Sequence, residues 1–492
     1  MVVQSPQPGG PRSIRAGLSM EQRERVVERW PGRGPEEAAA RLRDRPGLAW
    51  LDSALAHPTL GRWSIVASDP RWTLRARGRR LVHEQPAGAR RWSGDPIATL
   101  AAAVEAEDVR DGSAGRDLPF VGGAIGYLGF ELARHIERLP ATTSDDVGAP
   151  ELALGWYDAA LVWDGVAGAG WLAGSAAAVE RLRERLRGPL PPPAAEALAR
   201  ASGLRSNFER EAYLLAVQRA RRYIEAGDIY QVNLSQRFSA RVAMPGFDLY
   251  HRLRVVSPAP FAAYLRAPGV EVLSSCPERL LSVEGERLET RPMKGTRPRG
   301  ATPGEDARLA EELRGSAKDA AEHVMIVDLE RNDLGRVAQV GSVAVPSFRQ
   351  MESYEQVHHL TSVVVARRRR DAGLAELLRA VFPGGSVTGA PKIRALEIID
   401  ELEPTVRGVY TGAIGYLSAH GRIDLNTAIR TITLAGGVAH MHVGGAVVYD
   451  SDPEREYVET LDKGRGMARA LGVQLPDELP AATATAAYAL AP

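Results

Sequence analysis

The chain changes period at Gly227. Before it, Tyr213, Val217, Ala220 and Ile224 recur at helical spacing with Asn207 where an N-cap belongs, which predicts a helix stopped by the glycine. After it, DIYQVNLSQRF alternates: Ile229, Gln231, Asn233 and Ser235 share one face of a strand, and Tyr230, Val232 and Leu234 share the other. Strands are also predicted at RWSIVA (62–67) and within VGGAIGYLGF (121–130). Two alternating runs meeting at Glu284-Gly285 predict a β-hairpin inside CPERLLSVEGERLETRPMKG, residues 276–295. Strand-like and helix-like segments intersperse without a βαβ rhythm, which predicts an α+β fold built on antiparallel sheets. GAIGYL occurs at 123–128 and again at 412–417 with no longer period around it, so the echo reads as one strand solution used twice.

The proline cluster in RGPLPPPAAEALARASGLRSN can continue neither a helix nor a central strand. It divides the 492 residues into a leader (1–30), an N-terminal lobe (31–190), a linker (191–206), a second domain (207–475) and an Ala-rich tail (476–492). Composition narrows the function classes. With 62 basic and 61 acidic residues, no global field favours nucleic acid or a membrane surface. A single cysteine, Cys276, excludes a disulfide framework or a cysteine-based zinc cluster. The start of the chain has no apolar signal region and no segment is a membrane span, so the expectation is a cytoplasmic protein acting on small molecules.

Four constellations carry candidate chemistry. On the predicted hairpin, position 278 falls opposite 291 if the loop holds two residues, placing Lys294 on the order of 10 Å beyond Glu278, a carboxylic acid and an amine on one site. In AEHVMIVDLERNDLGR, Glu322 shares a helical stripe with Met325, Ile326 and Leu329, and a carboxylate on an apolar face needs a partner. In SDPEREYVETLDKGRG, Asp452 and Pro453 start a helix that carries Glu456, Glu459 and Lys463 on one face. Glu322 with these acids forms an oxygen-rich set suited to a hard cation, Mg²⁺ rather than zinc. The glycine turns FPGGSVTGAPK (382–392) and VGGAVVYDSD (443–452) lack Walker spacing but can present backbone N–H groups to a carboxylate, and Arg430, in a strand-like NTAIRTITL, can add a charged fork. Taken singly, each set also matches a solvated surface, an ordinary salt bridge or a plain turn.

Together, and in this order, SSCPERLL, RPMKGTRPRG, AEHVMIVDLERNDLGRVA, FPGGSVTGAPKIRALEIIDELEP, YTGAIGYL, TAIRT and YVETLDK resemble the chorismate-utilising enzymes. The resemblance implies a sandwich of antiparallel β-sheets with helices outside. It implies Lys294 as nucleophile, Glu278 as general acid and His359 beside the leaving group. Glu322 and Glu459 match Mg²⁺ ligands, with Glu456 and Asp319 in the same cluster. Gln231, Thr388, Tyr410, Arg430, Gly444, Gly445 and Lys463 match substrate-binding positions. Ala446 departs from a glycine common there. Members that activate water carry a lysine where this chain has Gln231, and anthranilate-forming members carry a small residue in place of Lys294. RPMKGT thus resembles the members that aminate chorismate to 4-amino-4-deoxychorismate on the route to 4-aminobenzoate and folate. Anthranilate formation and a non-catalytic chorismate-binding role are the alternatives. Because Cys276 lies inside a synthase motif, the resemblance also implies a separate glutamine amidotransferase supplying ammonia, and a separate downstream lyase. Residues 50–67 resemble a tryptophan-binding region, with Ser53 at its key serine.

Overall fold

The computed structural model describes residues 24–55, 60–107, 115–191, 201–353 and 357–475. The tail, most of the leader and residues 192–200 of the linker lie outside the described residues. Two 12-stranded sheets dominate, and every pairing between their strands is antiparallel. The first runs from Arg25–Trp30 at one edge, through Phe261–Ala267, Val270–Cys276 and Thr431–Ala435, to Val438–Val447 and Gln231–Arg241 near the other. The second runs from Met293–Pro298 through Val357–Arg367 and Ala413–Ser418 to Gly88–Ser93.

Three apolar layers explain the stacking. Ile65, Val162, Ala263 and Val272 of the first sheet meet Ile125, Tyr127 and Ile414 of the second in a common core. On the outer side of the first sheet, Val232, Leu234 and Phe238 pack with Tyr213, Val217, Tyr250, Ile398 and Leu461 from four helices. On the outer side of the second, Leu281, Val283 and Leu288 pack with Val327, Leu377 and Leu100. The result is the expected α+β sandwich with helices outside.

Several expectations are corrected. The leader is shorter than residues 1–30, because Arg25–Trp30 is a strand paired residue for residue with positions 170–175. Within the linker, Ser202–Ser206 pairs with the end of Gln231–Arg241. Both sheets continue across the proline cluster: each half of the chain supplies one contiguous block of strands to each sheet, and the blocks meet where Ala49–Asp52 pairs with Phe261–Ala267 and Gly123–Leu128 pairs with Ala413–Ser418. The helix after Asn207 starts at Arg210; Asn207 instead accepts a hydrogen bond from the Arg237 backbone N–H and donates one to Thr405. In the hairpin, Glu284 pairs with Arg287, so the loop is Gly285-Glu286, with Gly285 at φ +61°. Beyond it, the Met293 N–H hydrogen-bonds the Glu278 carboxyl, so position 293 lies against Glu278.

The two GAIGYL copies are neighbours: Gly123–Leu128 pairs with Ala413–Ser418, and Gly126 lies directly opposite Gly415. A Cβ on Gly126 would stand 2.1 Å from the Ala153 carbonyl oxygen, and one on Gly415 2.0 Å from that of Asp424. The repeated glycine is what lets the strands on either side close up.

Candidate active site

The strand Gln231–Arg241 forms one wall. Its apolar face is spent on the outer core, and its other face carries polar groups that the protein leaves unsatisfied: both side-chain atoms of Gln231, Oδ1 of Asn233 and Oγ of Ser235 are buried without a hydrogen-bond partner. Buried polar atoms are nearly always paired, so a row of orphans on one strand face marks a place where a polar ligand belongs. The neighbouring strand supplies Gly444 and Gly445, opposite Ser235 and Leu234. A Cβ at 444 would lie 2.7 Å from the Leu234 carbonyl, 2.8 Å from Asn233 Oδ1 and 2.9 Å from the Tyr410 hydroxyl. The cradle therefore exists only because position 444 has no side chain.

Opposite this wall stands the hairpin chemistry. Between Met293–Pro298 and Val357–Arg367 the register slips at Gly295 (φ +75°): Lys294 pairs with Leu360, and Thr296 with His359. The bulge turns the RPMKGT segment so that Lys294 and His359 flank Gly295, whose carbonyl accepts from His359 Nδ1 at 3.4 Å. Glu278 is buried, and its carboxyl is pushed up to about 7 by desolvation, against hydrogen bonds from the Ser386 hydroxyl and Met293 N–H and the fields of Lys294 and Lys463. Lys294 is pushed down from the ordinary lysine range, first by desolvation and also by Lys463, while Glu322, Glu278 and Glu459 pull it back up. Burial, then Arg430, lowers His359 to about 4, so it is neutral at neutral pH.

The acids on the two helices meet here. Glu322, on Ala317–Gly335, is raised by burial and faces Lys294, Lys318, Asp319 and Glu459. Glu456, on Pro453–Ala470, is also raised by burial; one oxygen accepts from Ser451 at 2.6 Å, and the other is buried and unpartnered. Glu459 pairs with Lys463 at 2.6 Å; desolvation raises its carboxyl, but Lys463, Lys294 and Lys318 together hold it below the ordinary range, and Lys463 also donates to the Gly444 carbonyl at 2.8 Å. Among the described residues no three His, Cys, Asp or Glu side chains converge closely enough to cage an ion unaided. An orphaned Glu456 oxygen beside Glu459 and Glu322 nevertheless fits Mg²⁺, which binds through one or two carboxylates and completes its shell with water and substrate oxygens.

Other expected residues fall as follows. The buried Thr388 hydroxyl donates to the Gly384 carbonyl at 2.9 Å and so holds the glycine turn together. Tyr410 is buried and stacks on His442 at 5.3 Å, and burial raises its hydroxyl to about 12. Arg430 does not sit in a strand. Ile423–Asn426 belongs to the second sheet and Thr431–Ala435 to the first, and the crossing between them bends through positive φ at Ala428 (48°) and Arg430 (53°). Among the described residues Arg430 has no carboxylate within ion-pair distance, a free cation beside Tyr410. Ser53 lines a separate cavity of about 80 Å³ with Trp63, Pro260, Arg279, Tyr416 and Asp424, and its hydroxyl donates to the Trp63 carbonyl at 2.7 Å. Asn233 and Ser386 are site residues that motif reading passed over; the strand alternation had already put Asn233 on the Gln231 face.

The sequence pattern of the chorismate binding enzyme family matches residues 53–469. The chain belongs to the chorismate binding enzymes. The match takes in the N-terminal half as well as the motif-rich part. Within the family, the chain is 40% identical over 434 residues to aminodeoxychorismate synthase component 1 of Escherichia coli, covering 88% of this chain and 95% of that one. It is equally 40% identical, over 445 residues, to anthranilate synthase component 1 of Thermus thermophilus, covering 89% and 95%. The crystal structure of anthranilate synthase component I from Streptococcus pneumoniae superposes with a TM-score of 0.75 at 34% identity, covering 84% of this chain and 93% of that one. Overall identity therefore does not choose between the two family activities.

Proposed function

We propose that this chorismate binding enzyme aminates chorismate to 4-amino-4-deoxychorismate. The observation that carries the reading is Lys294, an amine whose pKa desolvation lowers, held in the fields of the Glu278 carboxyl, which desolvation raises to about 7, and of Lys463, which donates to the Gly444 carbonyl. A neutral lysine is a nucleophile and a protonated glutamic acid is a proton donor, and burial shifts each group toward the form the reaction needs. Lys294 Nζ forms a bond to C2 of chorismate as both ring double bonds shift, and the C4 hydroxyl leaves as water with the proton of Glu278. Ammonia then attacks C4, both double bonds return, Lys294 is expelled as the neutral amine, and the new C4 ammonium returns a proton to the Glu278 carboxylate. Gln231, with both amide atoms free, suits an incoming ammonia molecule and lacks the basicity to activate water. Arg430, Tyr410 and the Gly444 cradle suit the substrate carboxylates and enolpyruvyl arm. Glu322, Glu456 and Glu459 would hold Mg²⁺, which would neutralise the ring carboxylate.

Ammonia comes from a partner. Cys276 is the only cysteine, it is buried, and its thiol is pushed up to about 12, the opposite of an activated glutaminase nucleophile. We therefore assign a separate glutamine amidotransferase subunit, a separate downstream lyase and a cytoplasmic location. Among the described residues no helix is long and apolar enough to cross a membrane.

The equal similarity to anthranilate synthases supports one rival, formation of anthranilate and pyruvate. The test is incubation with chorismate, Mg²⁺ and ammonium, with products identified by mass spectrometry. A product that keeps the enolpyruvyl group and gains an amine, lost about 10³-fold or more in Lys294→Ala, is the expected result. Anthranilate with pyruvate would transfer the chain to the rival reading.

A further inference from the structure

The strand that forms the Gln231 wall has a gap along one edge, and an ion pair fills it. Val438–Val447 lines the first edge of Gln231–Arg241 throughout, but the second is only partly covered. Gly389–Ala390 pairs there with Gln231 and Val232, and Ser202–Ser206 pairs from Phe238 onward. Among the described residues no strand lies alongside positions 233–237 on that side. Buried backbone groups still need partners. The Asn233 N–H donates to the Thr388 carbonyl at 2.7 Å, the Asn233 carbonyl accepts from Arg407 Nη2 at 2.7 Å, and the Ser235 N–H donates to Glu403 Oε1 at 2.8 Å. An arginine and a glutamate thus stand in for the missing strand.

The pair is enclosed, with the Arg407 and Glu403 side chains 1% and 3% exposed. All five guanidinium N–H bonds have an acceptor: Nε reaches Glu403 Oε2 at 2.9 Å, Nη2 reaches Glu403 Oε1 at 2.6 Å and the Asn233 carbonyl, and Nη1 reaches the Val387 carbonyl at 3.0 Å and Thr411 Oγ1 at 3.2 Å. No donor remains for a substrate. The backbone is pinned as well, because the Glu131 carboxyl accepts from the N–H groups of Arg407 and Gly408 at 2.8 and 3.1 Å. Each acceptor adjoins the candidate site. Val387 leads into Thr388 of the glycine turn, Asn233 carries the orphaned Oδ1, and the Thr411 hydroxyl donates to the Tyr410 carbonyl at 2.6 Å. The Thr411 N–H then donates to the Ala428 carbonyl at 3.2 Å, in the crossing that carries Arg430. A buried ion pair is weak ground for stability, since apolar groups of similar volume often pack as well. Apolar groups could not, however, tie these segments together through one planar fork.

We propose that Arg407, held by Glu403, is a positioning residue for chorismate: it sets the spacing between the Gln231 strand, the glycine turn and Tyr410, and with it the shape of the wall that the substrate meets. The inference rests on chorismate lying against this wall, as in the proposed function, and holds whichever product forms. It adds no step to the reaction.

The experiment measures kcat and KM for chorismate consumption in Arg407→Lys, which keeps a charge beside Glu403 but offers donors from a single point in place of a fork. The expected result is a KM raised about tenfold or more with kcat changed less than about threefold. Gly126→Ala is the comparison: its Cβ crowds a carbonyl in the second sheet, so it loses stability away from the wall, and its KM should equal that of the wild type. An unchanged KM in Arg407→Lys, or a loss confined to kcat, would overturn the proposal, because a residue that only supports folding lowers the amount of active enzyme and not its affinity. A KM raised equally in both variants would overturn it too. Amide hydrogen exchange in the wild type needs no variant to fold: the Ser235 amide should exchange within about tenfold of the rate at Leu234, which pairs with Gly445 in the ladder. Faster exchange would show an open edge and sink the idea. If the wild type turns over no chorismate, the proposed function fails, and the Kd for chorismate from calorimetry replaces KM in the same comparison; a wild type that binds no chorismate overturns both.

Discussion

At Gly444 a hydrogen atom keeps three oxygens and a ligand cradle apart. Gly444→Ala should raise KM for chorismate about tenfold or more and also lower the urea midpoint, because the methyl enters the cradle and meets the Leu234 carbonyl of the paired strand; a normal KM would show that chorismate does not use it. The individual functional side chains were unevenly legible. Glu278, Lys294, Glu456, Glu459 and Lys463 come from local spacing and motif resemblance, and the fold does gather them. Arg430 was assigned to a strand because NTAIRTITL alternates well; two positive φ values in the crossing segment, which pattern cannot show, place it otherwise. Arg407 was passed over because a single arginine in LEPTVRGVY looks solvated until the segments around it are known.

Among the elements, alternation found the strands and their faces, but not their neighbours. The hairpin was foreseen with its loop one position early, and Met293, at the start of the Lys294 strand, lies against Glu278 where position 291 was expected. GAIGYL was read as one solution used twice, and the pairing explains why both copies keep the glycine. Gly126→Ala should therefore cost about 2–3 kcal/mol in urea unfolding, since the Cβ meets a backbone carbonyl that cannot rotate away. A change below about 0.5 kcal/mol would mean that the strands have room to part.

In the whole molecule, the buried acids govern the response to pH. Glu278 and Glu330 titrate at about 7 and about 8 in the folded state, above the ordinary glutamate value. The folded chain thus holds protons that the unfolded chain has released, and their contribution to stability is complete below the unfolded pKa and is lost as pH rises through about 7 to 8. The buried histidines His323 and His359, lowered to about 4, act below about pH 6.5 and leave this window to the acids. The urea midpoint should fall between about pH 6.5 and 8.5, and the double variant Glu278→Gln, Glu330→Gln should flatten the fall. The proline cluster suggested two domains because composition reports where a chain turns irregular, not which strands later pair across it. With both sheets threaded by both halves, residues 24–191 and 201–475 expressed separately should each be insoluble or unfolded, and the intact chain should unfold in one transition.

That sharing of both sheets also bears on how such a chain can change over generations. A crossover near residue 200 between two diverged relatives would join halves that must pair once in each sheet, Ala49–Asp52 with Phe261–Ala267 and Gly123–Leu128 with Ala413–Ser418, so both joins would face a mismatch at once. The proline cluster resembles a seam for exchanging modules, yet an exchange there would have to preserve both of these strand pairings, a constraint that substitutions within either half do not meet.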